Sequence, residues 1–238
     1  MLKTQTIDYQ ENTTALEGYY AYDEKIPGKR PAVIVCHDWS GKNDFSCNKA
    51  QKLAELGYVG FALDMYGKGL SGKTKTEKSA LIKPLMDDRK LLQKRVLAAL
   101  DTVRKLDEVD PTRIAIIGFC FGGLCALDLA RSGADIKGAV SFHGLFYSPD
   151  FSSKPIKAKI LALHGHDDPM ATPAQALAFM KEMTDAKANW ELDMYGNTMH
   201  GFTNPEANDP AFGTVYSKEA DARAWARMVA FFAEIFGS

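Results

Sequence analysis

Arg113-Ile-Ala-Ile-Ile-Gly-Phe-Cys-Phe-Gly-Gly-Leu-Cys-Ala-Leu-Asp-Leu-Ala130 is the stretch that decides the fold. Its continuous β-branched run up to Gly118 reads as a buried strand, and the apolar spacing after Gly123 reads as a helix. Between them, Gly118-Phe119-Cys120-Phe121-Gly122 has the spacing of a nucleophile elbow, with Cys where Ser usually stands. Glycines flanking the apex let strand and helix approach without a Cβ between them. Cys120 is therefore expected at a strained corner and at a helix N-terminus, where the dipole favours negative charge and backbone N–H groups can hold an oxyanion. A buried structural Cys at a Gly-rich strand end makes the same pattern. The elbow needs partners elsewhere in the chain.

Working outward, 238 residues suit one large α/β domain spanning 1–238, and a 46% hydrophobic content is enough to fill its core. The 29 basic and 30 acidic residues leave a net charge of -1, which gives no electrostatic footprint for nucleic acid or an anionic membrane. The N-terminus has no apolar core of signal-peptide length, and no run reaches the roughly 18 apolar residues of a membrane span. A cytoplasmic location is expected. Cys36, Cys47, Cys120 and Cys125 are too few and too irregular for a disulfide framework or a zinc site, in keeping with a reducing compartment.

Residues 5–10 and 16–22 alternate as two strands of an antiparallel edge. Apolar strands are expected at 31–36, 58–63, 137–144 and 160–165, and an alternating one at 190–195. Helices are expected at 48–56, stopped by Gly57, at 76–106 with a break or kink at Pro84, at 173–183 and at 219–236. A loop with two prolines fills 145–159. Strands alternating with helices imply a mostly parallel central sheet with helices on both faces and loops gathered at the strands' carboxyl ends. The polar cluster His37-Asp38-Trp39-Ser40-Gly41 follows such an end, where open α/β sheets place ligands. Gly67-Lys-Gly-Leu-Ser-Gly-Lys-Thr74 matches the P-loop spacing in full. Three residues separate it from its strand, however, and no later apolar strand ends in an Asp that would help hold Mg²⁺. A solvated loop is the simpler account.

Cys120, Asp168 and His200 follow three of the last four strand ends, in the chain order nucleophile, acid, base of the α/β-hydrolases. A thiol of ordinary pKa, about 8.5, is mostly protonated at neutral pH, so an imidazole must take its proton and a carboxylate must fix the imidazole's tautomer. Asp167 competes with Asp168 for the second role, and the Asp-Asp-Pro segment could be a plain turn. His164 and His166 are spaced like metal ligands, but no third His or Cys lies near in sequence, so no metal and no cofactor is expected. His143, at another strand end, belongs either beside the site or in the core.

His37-Asp38-Trp39 with Gly41, Asp64-Met-Tyr-Gly-Lys-Gly69, Gly118-Phe-Cys-Phe-Gly-Gly123, His164-Gly-His-Asp-Asp-Pro169 and His200-Gly-Phe-Thr-Asn-Pro205 together resemble the dienelactone hydrolase family over nearly the whole chain. The resemblance implies an α/β-hydrolase fold and a triad of Cys120, Asp168 and His200. It also implies an oxyanion hole from the backbone N–H groups of Trp39 and Phe121, and an acidic residue at Asp38 that restrains the resting thiol. The family has Glu at that position, one methylene longer. Where the enzyme acting on dienelactone carries an arginine for the substrate carboxylate, four residues after the catalytic His, this chain has Asn204. Asn cannot make the charge-assisted bonds of an arginine, about 1.5–3 kcal/mol each.

The expected function is hydrolysis of a small lactone or activated ester through a cysteinyl acyl-enzyme, by a monomer or small homo-oligomer with no nucleic acid or membrane partner. Two alternatives stand beside it: a redox thiol pair, Cys120 with Cys125, and a small-molecule-binding protein on the same scaffold. The first has poor spacing, since five helical positions span about the 7 Å limit for a disulfide.

Overall fold

Period-two alternation at the start of the chain yields a long hairpin. β1 (Leu2–Glu11) and β2 (Thr14–Asp23) pair antiparallel without a slip from Leu2 opposite Asp23 to Glu11 opposite Thr14. Asn12, at φ 51°, takes the left-handed position of the turn, which Asn tolerates better than most residues. A computed structural model describes residues 1–149 and 154–237, so residues 150–153 of the expected 145–159 loop lie outside the described residues. The chain divides into two compact units, Met1–Ile117 and Gly118–Ser238.

In the first unit, β3 (Arg30–Cys36) and β4 (Val59–Ala62) are parallel, and β2 lies antiparallel to β4. The strand order is β1-β2-β4-β3-β5, where β5 (Val109–Phe119) carries the chain into the second unit. β3 and β4 are almost wholly buried, as a continuous apolar run requires of a strand covered on both faces. α1 (Asp44–Glu55) crosses between them, opened by a capping box of Asn43 and Ser46. The expected helix over 76–106 is two helices, α2 (Lys75–Asp87) and α3 (Arg89–Val103). The break is not at Pro84, which lies inside α2, but at Asp88, whose carboxylate accepts from the Lys90 and Leu91 N–H groups and starts a new helix.

The second unit opens with α4 (Phe121–Arg131) and continues through β6 (Gly138–Phe142), β7 (Lys159–Gly165), α5 (Pro173–Asp185) and β8 (Trp190–Tyr195). β6, β7 and β8 are parallel neighbours in that order. Two short strands absent from the expectation, β9 (Asn208–Asp209) and β10 (Thr214–Val215), pair before the terminal helix α6 (Lys218–Phe236). At two residues each they are too short to show a period. α4 is buried along its whole length, and Arg131 at its end meets Asp128 at 3.1 Å and Glu182 at 2.7 Å. The architecture is α/β with a mostly parallel sheet. Among the described residues, no helix is long and apolar enough to cross a membrane.

Candidate active site

The corner at Cys120 has the strain its sequence announces. Cys120 is the N-cap of α4 with φ 57° and ψ -117°, outside the regions open to ordinary side chains. The turn is tight because Gly118 has no side chain: a Cβ built there would stand 1.9 Å from the Gly122 carbonyl oxygen. The Cys120 N–H is held by the Phe142 carbonyl at 3.0 Å and by His143 Nδ1 at 3.2 Å, both at the end of β6. The thiol itself is half-buried. Phe121 occupies the first position of α4, where backbone N–H groups point out of the helix.

Asp168 and His200 reach the same region from β7 and β8. Asp168 is 1% exposed, and its Oδ1 accepts from the Met170 and Ala171 N–H groups at 2.8 and 3.1 Å. Its other oxygen lies 2.7 Å from His200 Nδ1. The loop bearing His200 is tied down by β10, because the His200 N–H donates to the Gly213 carbonyl and the Val215 N–H donates back to the His200 carbonyl. A carboxylate facing Nδ1 fixes the proton there. Nε2 is left buried, with no nitrogen or oxygen partner among the described residues, and the Cys120 sulfur interacts with the ring.

Burial alone would lower the pKa of His200. The Cys120 sulfur beside it and the Asp168 carboxylate overcome that and lift it to about 10. Of the two neighbouring carboxylates, Asp168 is thus the one that meets His200, whereas Asp167 is exposed and pairs with His166 at 2.8 Å. His164 is buried, donates from Nε2 to the Ala171 carbonyl at 2.7 Å, and is pushed down by desolvation. His164 and His166 part, one inward and one to solvent, because β7 ends at Gly165 and alternate residues share a face only while the strand lasts. Among the described residues, no group of three or more His, Cys, Asp or Glu side chains is placed to hold a metal ion, and no disulfide joins Cys36, Cys47, Cys120 and Cys125.

Asp38 and Trp39 follow β3 in the first unit. The Asp38 carboxylate accepts from the Ser40 N–H at 2.7 Å, and the Trp39 carbonyl accepts from the Tyr66 hydroxyl at 2.9 Å. His37 braces this turn through Nδ1 to the Asp38 carbonyl at 2.6 Å, while its Nε2 accepts from the Met65 N–H at 3.2 Å. In the second unit, Asn204 lies in the turn after His200, where its side-chain oxygen accepts from the Glu206 N–H at 3.0 Å. The P-loop match is filled from within: Glu77 Oε2 accepts from the Lys73 and Thr74 N–H groups at 2.8 and 3.0 Å, so a carboxylate of the chain sits where a phosphate would. Thr203, whose hydroxyl contacts His143, was missing from the sequence expectations. A Thr three residues after a candidate base carries no chemical signal of its own.

A family model described as the dienelactone hydrolase family matches residues 16–236. A Bradyrhizobium protein named "Probable 2-oxo-3-(5-oxofuran-2-ylidene)propanoate lactonase" is 32% identical, over 84% of this chain and 86% of its own. The crystal structure of a dienelactone hydrolase-like promiscuous phosphotriesterase from metagenomic libraries superposes with a TM-score of 0.94 at 34% identity, over 98% of both chains. An α/β-hydrolase from a deep-sea metagenome library, with a TM-score of 0.69 and 16% identity over 99% of both chains, shares the fold.

Proposed function

The chain belongs to the dienelactone hydrolase family, and from that premise we propose that it hydrolyses a small lactone or activated carboxylic ester through a cysteinyl acyl-enzyme. The observation that carries this reading is the 2.7 Å contact between Asp168 and His200 Nδ1, with Nε2 buried and the half-buried Cys120 interacting with the same ring. Cys120 gives its proton to His200 Nε2, Sγ forms a bond to the carbonyl carbon and the carbonyl π electrons move to oxygen. The N–H of Phe121, at the start of α4, stabilises the resulting oxyanion; the family resemblance supplies Trp39 N–H as the other donor. Collapse breaks the bond to the leaving oxygen, which takes the proton held on His200 Nε2. Water then attacks the thioester, returns a proton to His200, and releases the acid with Cys120 restored.

Asp168 keeps the Nδ1 proton throughout, so that Nε2 alone exchanges one. A thiolate is a good leaving group, and its attack on an unactivated ester reverses before the alkoxide departs. Substrates whose leaving oxygen is an enolate or a phenolate avoid this, hence a lactone or an activated ester. Asn204 brings no positive charge to its position, and its oxygen is already engaged. A carboxylate on the acyl group gains no ion pair there, and an uncharged acyl group suits the site better.

The test is a panel of aryl esters, enol lactones and a phosphotriester, the last being the substrate class of the similar metagenomic enzyme, with mass spectrometry of the quenched protein. An acyl adduct on Cys120 that decays at the turnover rate is the expected result. Unchanged ester turnover in Cys120→Ala would overturn the proposal.

A further inference from the structure

His143 is a buried, hydrogen-bonded imidazole that the mechanism above leaves unused. It directly follows β6 with φ 38°, a left-handed conformation that a glycine takes without strain and a His rarely adopts. Its Nδ1 lies 3.2 Å from the Cys120 backbone nitrogen. A backbone N–H can only donate, so Nδ1 accepts and the ring proton sits on Nε2, 2.8 Å from Thr203 Oγ1. Thr203 stands three residues beyond His200, and the His143 ring meets the His200 ring edge-on with centroids 5.1 Å apart. One imidazole thus touches the backbone of the nucleophile, the loop that carries the base, and the base itself.

We infer that His143 is a positioning residue for the reaction: in its Nε2-protonated tautomer it locks the Cys120 corner to the 200–203 loop and so fixes the approach of the sulfur to His200 Nε2. This role rests on the proposed functions of Cys120 and His200. A hydrophobic residue of similar volume would fill the space but offer the Cys120 N–H no acceptor and Thr203 no donor. The Phe142 carbonyl, at 3.0 Å, would keep the N–H satisfied and the corner folded. What the imidazole adds is the link between corner and loop.

The test compares His143→Leu, His143→Asn and Thr203→Val. Asn sets an amide oxygen near the Nδ1 position and tolerates positive φ, but its amide stops short of Nε2 and so leaves Thr203 unlinked. Three measurements are made: the rate of Cys120 alkylation by iodoacetamide at pH 7, kcat and KM for an activated aryl ester, and the ¹H–¹⁵N spectrum of the histidine rings. His143→Leu is expected to slow alkylation and kcat by about tenfold or more with KM changed less than about threefold, since misplacement near 1 Å costs up to about 100-fold. His143→Asn, which keeps an acceptor for the Cys120 N–H but has no donor that reaches Thr203, should stay nearly as slow as His143→Leu. Thr203→Val should lose part of the rate alone and add little to His143→Leu, because the two act through one link. The wild-type spectrum should place the His143 proton on Nε2.

A ring proton on Nδ1, a folded His143→Asn as fast as wild type, or a His143→Leu as fast as wild type would each overturn the inference. Should His143→Leu not fold, the spectrum, Thr203→Val and His143→Asn still decide. Should the wild type hydrolyse no ester, the proposed function fails by itself, while alkylation and the tautomer still test the lock.

Discussion

Adding a single methyl group at Gly118 tests the geometry on which the site depends. A Cβ at Gly118 would meet the Gly122 carbonyl oxygen at 1.9 Å, its carbon at 2.1 Å and the Gly123 nitrogen at 2.7 Å. Ordinary contact begins at 3.4 Å, so strand and helix must separate by about 1.5 Å, the difference between 3.4 and 1.9. All three obstacles are backbone atoms in the first turn of α4, and none can rotate away. Overpacking a dense core costs about 1–3 kcal/mol, and this rigid case belongs near 3. The same movement carries Cys120 and the Phe121 N–H away from His200, and about 1 Å of misplacement is worth roughly 100-fold in rate. Urea denaturation followed by circular dichroism, together with kcat for an activated ester, should show Gly118→Ala less stable by about 2–3 kcal/mol and slower by roughly 100-fold. Gly196→Ala, whose Cβ meets nothing within 4 Å, should stay within about 0.5 kcal/mol of wild type. A Gly118→Ala variant within 0.5 kcal/mol and twofold of wild type would refute the close approach.

Asp168→Asn keeps the shape of the carboxylate but presents an amide that no longer fixes the Nδ1 proton, and kcat for an activated ester should fall by roughly 10⁴ with a smaller change in KM; a loss under tenfold would remove Asp168 from the mechanism. The pKa of His200 is raised from 6.5 to about 10, so the stability this confers is fully present below about pH 6.5 and is lost as the pH rises through about 10. Urea midpoints across that range should accordingly show His200→Gln costing most near pH 6 and least above pH 10. Arg131→Met withdraws the guanidinium from Asp128, both fully buried, and should cost about 3–5 kcal/mol in chemical denaturation. Titration calorimetry with Mg²⁺-ATP should give no heat, because Glu77 already holds the Lys73 and Thr74 N–H groups; a micromolar Kd would contradict that assignment.

How much of this was legible in the sequence follows from how local each signal is. The strand and helix around Cys120 were readable because a β-branched run, two glycines and a helical period fall within eighteen adjacent residues. The hairpin was readable from period-two alternation, and α6 from its apolar stripe. The break between α2 and α3 was misplaced because Pro84 is the louder residue, whereas the break belongs to the capping carboxylate of Asp88. Asp168 against Asp167 could not be separated by spacing alone. Burial separates them, leaving Asp168 at 1% exposure against His200 and Asp167 in solvent with His166. Asn204 was singled out for what it lacks, and only coordinates reveal that its oxygen is spent on the Glu206 N–H. The contact of His143 with Cys120 spans 23 residues and that with Thr203 spans 60. No sequence window joins such pairs.

The second unit buries three imidazoles, His143, His164 and His200, and their environments assign them different chemistry. His164 donates to a backbone carbonyl, a partner too weak to offset desolvation, and its pKa falls. His143 faces a backbone N–H, which fixes a neutral tautomer and leaves no lone pair for a substrate proton. Only His200 has a carboxylate on Nδ1 and a sulfur near Nε2, and there the pKa rises against burial. A general acid and base needs one nitrogen held and the other open toward the reacting atoms. Of these three rings, His200 alone meets both conditions, and it does so because Asp168 directs its second oxygen away from its own turn. The carboxylate's two oxygens divide the work: one folds the loop after β7 and the other selects the base.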